Sequence, residues 1–292
     1  MELIYLGTAA AEAVPGIFCE CSFCENARRA GGKELRRRSG ALIDGRLLID
    51  YSADTSLSML SVGKRLSDVR DVIITHSHSD HFVPTELGYR RSPAYCILPE
   101  GREPLRVFGN HAVTSELVRR FGDRETAISR HGLDIRYVPP FEPFDAGSYV
   151  VTPLPVFHNA PEDSYVYLIE KGGVRILYAH DTGFFEPEVF DFLKGKKLDI
   201  VSLDCTMGYI QIDRGHMGFS GNIKVREKFL ENGTADLDTV FISNHFSHNG
   251  LRAPDGDWTY EYFTEMAKPH GFIMSYDGMI VKRQTTRKVM IN

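Results

Sequence analysis

Residues 72–82 read Val-Ile-Ile-Thr-His-Ser-His-Ser-Asp-His-Phe and join two kinds of chemistry. The first three side chains are apolar and β-branched, the composition of a buried strand. The continuation places His76, His78, Asp80 and His81 within six positions. Neutral imidazoles and a carboxylate are the ligands that divalent zinc, iron or manganese take, and a strand end holds them firmly while leaving them open to solvent. The chain has 11 histidines in 292 residues, so three in six positions beside an aspartate indicate metal binding rather than a chance polar loop.

Working outward, the pattern of an apolar run ending in a metal-capable side chain recurs. Val156-Phe157 leads to His158, Val174 to Tyr178 leads through Ala-His to Asp181, and Thr239 to Ser243 leads to His245 and His248. Four separate strands are thus predicted to present His or Asp at their C-terminal ends, a convergence expected of an active site. Ala41–Asp44 and Arg46–Asp50 are predicted to form a hairpin around Gly45. Asp50 is either a carboxylate that steers a ligand histidine or the start of the next loop. A strand over 199–203 is expected to end at Asp204. Further strands are expected over 2–6, 105–108, 134–138 and 149–153. Helices are expected over 54–66, with Leu57 and Leu60 on the apolar face, over 113–121, and over 221–230 with Ser220 or Asn222 as cap. A last pair of strands, near 272–275 and 279–283, brackets a Tyr-Asp-Gly turn. Phe82 to Pro104, with Pro84, Pro93, Pro99 and Pro104, is a candidate lid or substrate wall. Its Arg90 and Arg91 are expected to be structural rather than phosphate clamps.

Hydrophobic content of 42% and charged content of 25% are those of a soluble globular protein, and residues 1–292 are expected to form one domain. A formal charge of -5 provides no global field for gathering polyanions, so nucleic acid is not the expected partner. The run Lys33 to Arg38 is expected to be a solvated face. The amino terminus lacks the basic start and apolar core of a signal peptide, and no apolar run reaches membrane-spanning length, so a cytoplasmic protein without membrane attachment is expected. Of five cysteines, Cys19, Cys21 and Cys24 fall within six residues. That CxCxxC spacing suits a structural zinc, one ligand short of a closed tetrahedral site.

The HxHxDH of His76 to His81, the later His158, the Ala-His-Asp-Thr-Gly around Asp181, and His245 follow the order found in metallo-β-lactamase-fold hydrolases, which this chain resembles. The resemblance implies an α/β fold of the α+β kind, a four-layer αββα sandwich with the metal site at one edge of two packed sheets. The cysteine loop after a Gly-Thr first turn is similar to that of the PhnP-like cyclic phosphodiesterase branch. There a histidine just after the last active-site histidine completes a structural zinc site, which implies His248 here. By resemblance His76, His78 and His158 bind one divalent metal, Asp80, His81 and His245 a second, and Asp181 bridges them; the metals are zinc or manganese. Asp80 and Asp181 thereby take part in catalysis, and His216, in a Gly-His-Met-Gly segment, corresponds to a catalytic general acid.

The function this implies is hydrolysis of a small cyclic or nucleotide-like phosphodiester by a metal-activated hydroxide. An RNA-processing endonuclease, a lactonase or a thioesterase would keep the same metal ligands. Outside hydrolysis, the alternatives are an iron oxidoreductase, a cofactor-biosynthesis protein, or a binding protein with a vestigial site. A homodimer is the default expectation for oligomeric state.

Overall fold

The computed structural model describes residues 1–91, 94–283 and 289–292. Pro93, counted above among the prolines of the candidate wall, lies outside the described residues. The strands in chain order are β1 (Glu2–Gly7), β2 (Gly40–Ile43), β3 (Leu47–Ile49), β4 (Asp71–Ile73), β5 (Leu105–Gly109), β6 (Leu133–Tyr137), β7 (Phe144–Ala146), β8 (Tyr149–Val156), β9 (Ser164–Lys171), β10 (Val174–Ala179), β11 (Ile200–Asp204), β12 (Val240–Asn244), the short ribbon β13 (Arg252–Ala253) and β14 (Gly256–Asp257), then β15 (Phe272–Met274), β16 (Ile280–Arg283) and β17 (Val289–Ile291). They assemble into one eight-stranded sheet, β17-β16-β1-β2-β3-β4-β5-β6, and one seven-stranded sheet, β15-β12-β11-β10-β9-β8-β7.

Alternation along each strand explains the layering, because successive side chains point to opposite faces. Leu3, Tyr5, Ile43, Ile49, Ile73 and Phe108 meet Val151, Tyr167, Ile169, Ile176, Tyr178 and Ile242 between the sheets. Their neighbours Ile4, Leu6, Leu42, Leu48, Val72 and Val107 face outward under helices α2 (Thr55–Ser61) and α3 (His111–Phe121). On the other side Leu168, Leu177, Leu203 and Phe241 pack against Val225 and Phe229 of the helix Phe219–Glu231. Both faces of both sheets are buried, so these strands are continuous apolar runs rather than alternating ones. The result is the αββα sandwich that the resemblance implied.

The parallel pair β3–β4 and the parallel set β10–β11–β12 bring their C-terminal ends to the same edge of the sandwich as that of β8. That edge carries the site, as is usual for ligands at the carboxyl ends of parallel strands. The β2–β3 hairpin turns at Asp44 and Gly45, both left-handed, which suits the tight turn of twisted strands.

Several expectations are corrected. Helix α2 is shorter than 54–66 and buries Thr55, Ser58 and Met59, leaving Leu57 and Leu60 61% and 72% exposed. Met59 is the apolar side chain that packs under the helix, and an Arg38–Asp54 ion pair lies at its entrance. Lys33 to Arg38 is not simply a solvated face. Arg36 is buried, donating to Thr8 Oγ1 at 3.0 Å and to the Ser275 carbonyl at 2.7 Å. Gly218, not Ser220 or Asn222, caps the helix Phe219–Glu231. Asn222 lies inside that helix and ties it to the sheet, donating to the Asp204 carbonyl and accepting from Ser243 Oγ. The strands either side of Tyr276-Asp277-Gly278 do not pair: β15 belongs to one sheet and β16 to the other. Arg90 and Arg91 donate to the main-chain carbonyls of Gly132, Glu103, Ile128 and Ser129, the structural role expected of them. Among the described residues no helix is long and apolar enough to cross a membrane.

Candidate metal and active site

Three ligand-capable clusters converge at the strand ends: His76, His78 and His158; Asp80, His81, Asp181 and His245; and Asp181, Asp204, His216 and His245. In the first, His78 Nδ1 lies 2.9 Å from His76 Nε2 and 3.1 Å from His158 Nε2. Asp181 joins the sets. Its Oδ1 lies 3.6 Å from His158 Nε2, and its Oδ2 lies 3.7 Å from His76 Nε2, 3.2 Å from His245 Nε2, and also against His81 Nε2. In the second cluster His81 Nε2 is 3.3 Å from Asp80 Oδ2 and 3.2 Å from His245 Nε2.

The outer nitrogens of these imidazoles decide where the protons sit. His81 Nδ1 is 2.7 Å from Asp50 Oδ2, and only a donor makes that contact. Thr75 Oγ1 donates to Asp50 Oδ1 at 3.0 Å, so it accepts from His76 Nδ1, also at 3.0 Å. Thr206 Oγ1 donates to Asp204 Oδ2 at 2.9 Å and so accepts from His245 Nδ1 at 2.7 Å. His158 Nδ1 donates to the Gly215 carbonyl at 3.0 Å. Four histidines are thereby held in the tautomer that aims a bare Nε2 lone pair inward. Outer partners that fix a ligand's tautomer in this way are the usual surroundings of metal-binding histidine. Facing lone pairs repel, and the buried Asp181 Oδ2 among them has no hydrogen-bond partner. A cation at the centre of each set would satisfy these atoms, so the residues fit a pair of divalent metals.

Asp50, left open by the sequence, is thus a steering carboxylate for two histidines at once. Asp204 was expected only to end a strand, yet it organises the other half of the site. It accepts from the amides of Asp181, Thr206 and Met217 and from Thr206 Oγ1, and lies 3.2 Å from His216 Nδ1. Burial disfavours the charged form of His216, but the Asp204 carboxylate outweighs it and pushes the imidazole up to about 9. His76, whose burial is reinforced by the neighbouring His81, is held well below its ordinary value. Asp50, Asp181 and His245 all adopt left-handed backbone angles, φ 64, 53 and 63°. Such conformations are costly for residues other than glycine and concentrate at functional sites.

The cysteine loop builds a separate cluster. Sγ of Cys19, Cys21 and Cys24 lie 3.5, 3.7 and 3.3 Å from His248 Nδ1. A tetrahedral zinc with ordinary bond lengths requires an S···N separation of about 3.5 Å, so the four ligands fit a closed site. The thiols surround the first turn of helix α1 (Ser22–Ala30), whose N-terminus favours thiolate. Burial opposes the Cys21 thiolate, but the Cys24 amide and His248 outweigh it and bring that thiol down to about 6; burial pushes Cys24 up to about 12. This cluster adjoins the first. The amide of Phe246, between His245 and His248, donates to the Thr8 carbonyl, and the Ala10 amide donates to the Phe246 carbonyl.

A model of the beta-lactamase superfamily domain matches residues 45–230. The chain belongs to that superfamily. It is a metal-dependent hydrolase of the metallo-β-lactamase fold, a fold that implies divalent metal binding, and it carries His and Asp clusters able to hold such ions. Among solved structures, a diphosphatase from the PhnP family is 22% identical, with a TM-score of 0.72 over 97% of this chain and 98% of that one. Zn(2+)-bound PqqB from Methylobacterium extorquens is 18% identical, with a TM-score of 0.70 over 97% and 100%. The short form of human tRNase Z is 15% identical, with a TM-score of 0.62 over 97% and 99%. These likenesses concern the fold, including the two-sheet architecture that the superfamily shares. No curated protein matches the sequence.

Proposed function

We propose that this hydrolase cleaves a small phosphodiester, cyclic or nucleotide-like, with His216 as the general acid. His76, His78 and His158 would hold one divalent cation, Asp80, His81 and His245 a second, and Asp181 would serve both. Zinc or manganese bound there would supply Lewis acidity, lowering the pKa of water and neutralising charge that develops on phosphoryl oxygens. Cys19, Cys21, Cys24 and His248 would hold a structural zinc.

The observation that carries the reading is His216. It stands beside both ligand sets, 3.4 Å from Asp181 Oδ1, with Nδ1 directed to Asp204 and the side chain one quarter exposed. Held by two carboxylates, the ring is stabilised as imidazolium and can give a proton to a departing alkoxide. An alkyl phosphodiester expels an alkoxide that needs that proton, whereas a thioester expels a thiolate that departs without one. Arg214, two residues earlier, lies with its guanidinium 4.4 Å from the centre of the Phe157 ring, next to His158. Its backbone is packed on Gly183, where any Cβ would collide with the Asp213 carbonyl. Glu162, Asp163, Glu186 and Glu188 line the adjacent groove with Phe157 and His158.

The test is turnover by purified, metal-analysed protein of bis-p-nitrophenyl phosphate, cyclic nucleotides, a cyclic ribose phosphate, a diphosphate diester and a lactone. Diester hydrolysis is expected. Hydrolysis of the lactone alone, or iron with redox activity and no diesterase, would overturn the proposal.

A further inference from the structure

The first metal-capable cluster is assembled across the seam between the two sheets. His76 and His78 follow β4 of the eight-stranded sheet, and His158 follows β8 of the seven-stranded one. One backbone bond crosses the seam, from the Tyr165 amide of β9 to the carbonyl of Thr75 at 3.0 Å, and beyond it the two loops run free of the strand ladders, yet His78 Nδ1 and His158 Nε2 come within 3.1 Å. Glu162 lies where the two loops meet. Its Oε1 accepts from the Ser77 amide at 2.8 Å and from Asn110 Nδ2 at 2.8 Å; its Oε2 accepts from Ser77 Oγ at 2.6 Å and from Asn159 Nδ2 at 3.0 Å. Ser77 stands between His76 and His78, and Asn159 follows His158. Asn110 is buried, caps α3 through Val113 N, and donates a second bond to the Asp163 carbonyl. One carboxylate therefore gathers four donors from three segments, two of which bear the ligands.

We infer that Glu162 is a positioning residue that clips the His76–His78 loop to the His158 loop and so sets the geometry of the first cation site. This inference rests on the metal-site reading given above. The chemistry requires a carboxylate rather than an amide. All four partners are donors, and a glutamine would turn an NH2 group toward two of them. Charge-assisted hydrogen bonds are also the stronger kind, which suits a clip that must hold two loops against repulsion between facing imidazoles.

The experiment is cation counting, by elemental analysis and by competition with a chelator, on the metal-loaded wild type and on Glu162→Gln, Ser77→Ala and His158→Ala. Wild type is expected to retain three cations per chain. Glu162→Gln is expected to hold one of them about 10- to 100-fold more weakly, and Ser77→Ala to show a smaller loss because the Ser77 amide still donates. The double variant Glu162→Gln/His158→Ala is expected to lose no more cation than His158→Ala alone, which a general loss of packing would not produce. Equal cation affinity in Glu162→Gln and wild type, or the loss of a second cation in the double variant, would overturn the inference. If wild type itself retains no cation beyond the cysteine site, it is the metal-site reading that fails. Ser77→Ala keeps the question decidable should Glu162→Gln not fold.

Discussion

The two clusters differ in ways that separate support from chemistry. The cysteine cluster takes its three thiols from one loop and a single histidine from elsewhere, four ligands of two kinds that enclose a centre completely. The histidine–aspartate cluster draws on four strand ends from two sheets, and beside its proposed ligands it keeps a further group, His216. A closed tetrahedral set contributes to folding, whereas an open set leaves room for water and substrate. The contrast also appears in how charge is controlled. Thiols stand around a helix start, while four of the five imidazoles are held by an outer partner, Asp50, Thr75, Thr206 or the Gly215 carbonyl.

The comparison is broken most directly at Asp181, which belongs to the open cluster alone. Asp181→Ala is expected to lower diester turnover by about 10⁴-fold or more, with the cysteine-bound metal retained on elemental analysis. His216→Ala is expected to cost about 10²- to 10⁴-fold with an alkoxide leaving group. It should cost far less with p-nitrophenolate, which departs without a proton; equal losses for the two leaving groups would remove His216 as the acid. The His216 imidazolium also gives a sign to the pH dependence. Turnover of alkyl esters should fall as pH rises through the region in which that ring loses its proton, and His216→Ala should lack that limb in a pH–rate profile. Thr206→Ala leaves His245 in place and removes the partner that fixes its tautomer, so cation affinity is expected to fall about 10- to 100-fold in a chelator titration. Cys21→Ser has the smallest expected effect on chemistry and a large one on folding. It should lose one metal per chain and lower the melting temperature, while kcat in the surviving folded protein changes by less than about tenfold.

The convergence of these side chains was legible in the sequence because a strand fixes the direction of its last residue, so an apolar run that stops at His or Asp carries both position and chemistry. His158, Asp181 and His245 were found this way, and the same signal stands at Ile-Val-Ser-Leu-Asp204. Asp204 was passed over as an ordinary strand end because no histidine neighbours it in sequence; its partners His216 and His245 reach it through space. Thr75, Thr206 and Glu162 lay beyond the reach of spacing for the same reason. The layers were legible from the apolar runs, but the face of α2 was not. Met59 rather than Leu57 or Leu60 faces the sheet, and seven residues give too short a pattern for the sequence to choose between the faces.

The left-handed backbone at Asp50, Asp181 and His245 bears on how this protein can be improved or can drift. Each is a place where a glycine would relax the chain, and each is also a place where only a carboxylate or imidazole serves the site. At Asp50 that relief would leave the Thr75 amide, the Thr75 hydroxyl and His81 Nδ1 without their acceptor, so the bonds that orient the site also hold the strain in place. Gains in robustness that leave turnover intact must come from elsewhere, and the exposed Leu57 and Leu60 of α2 are among the first candidates.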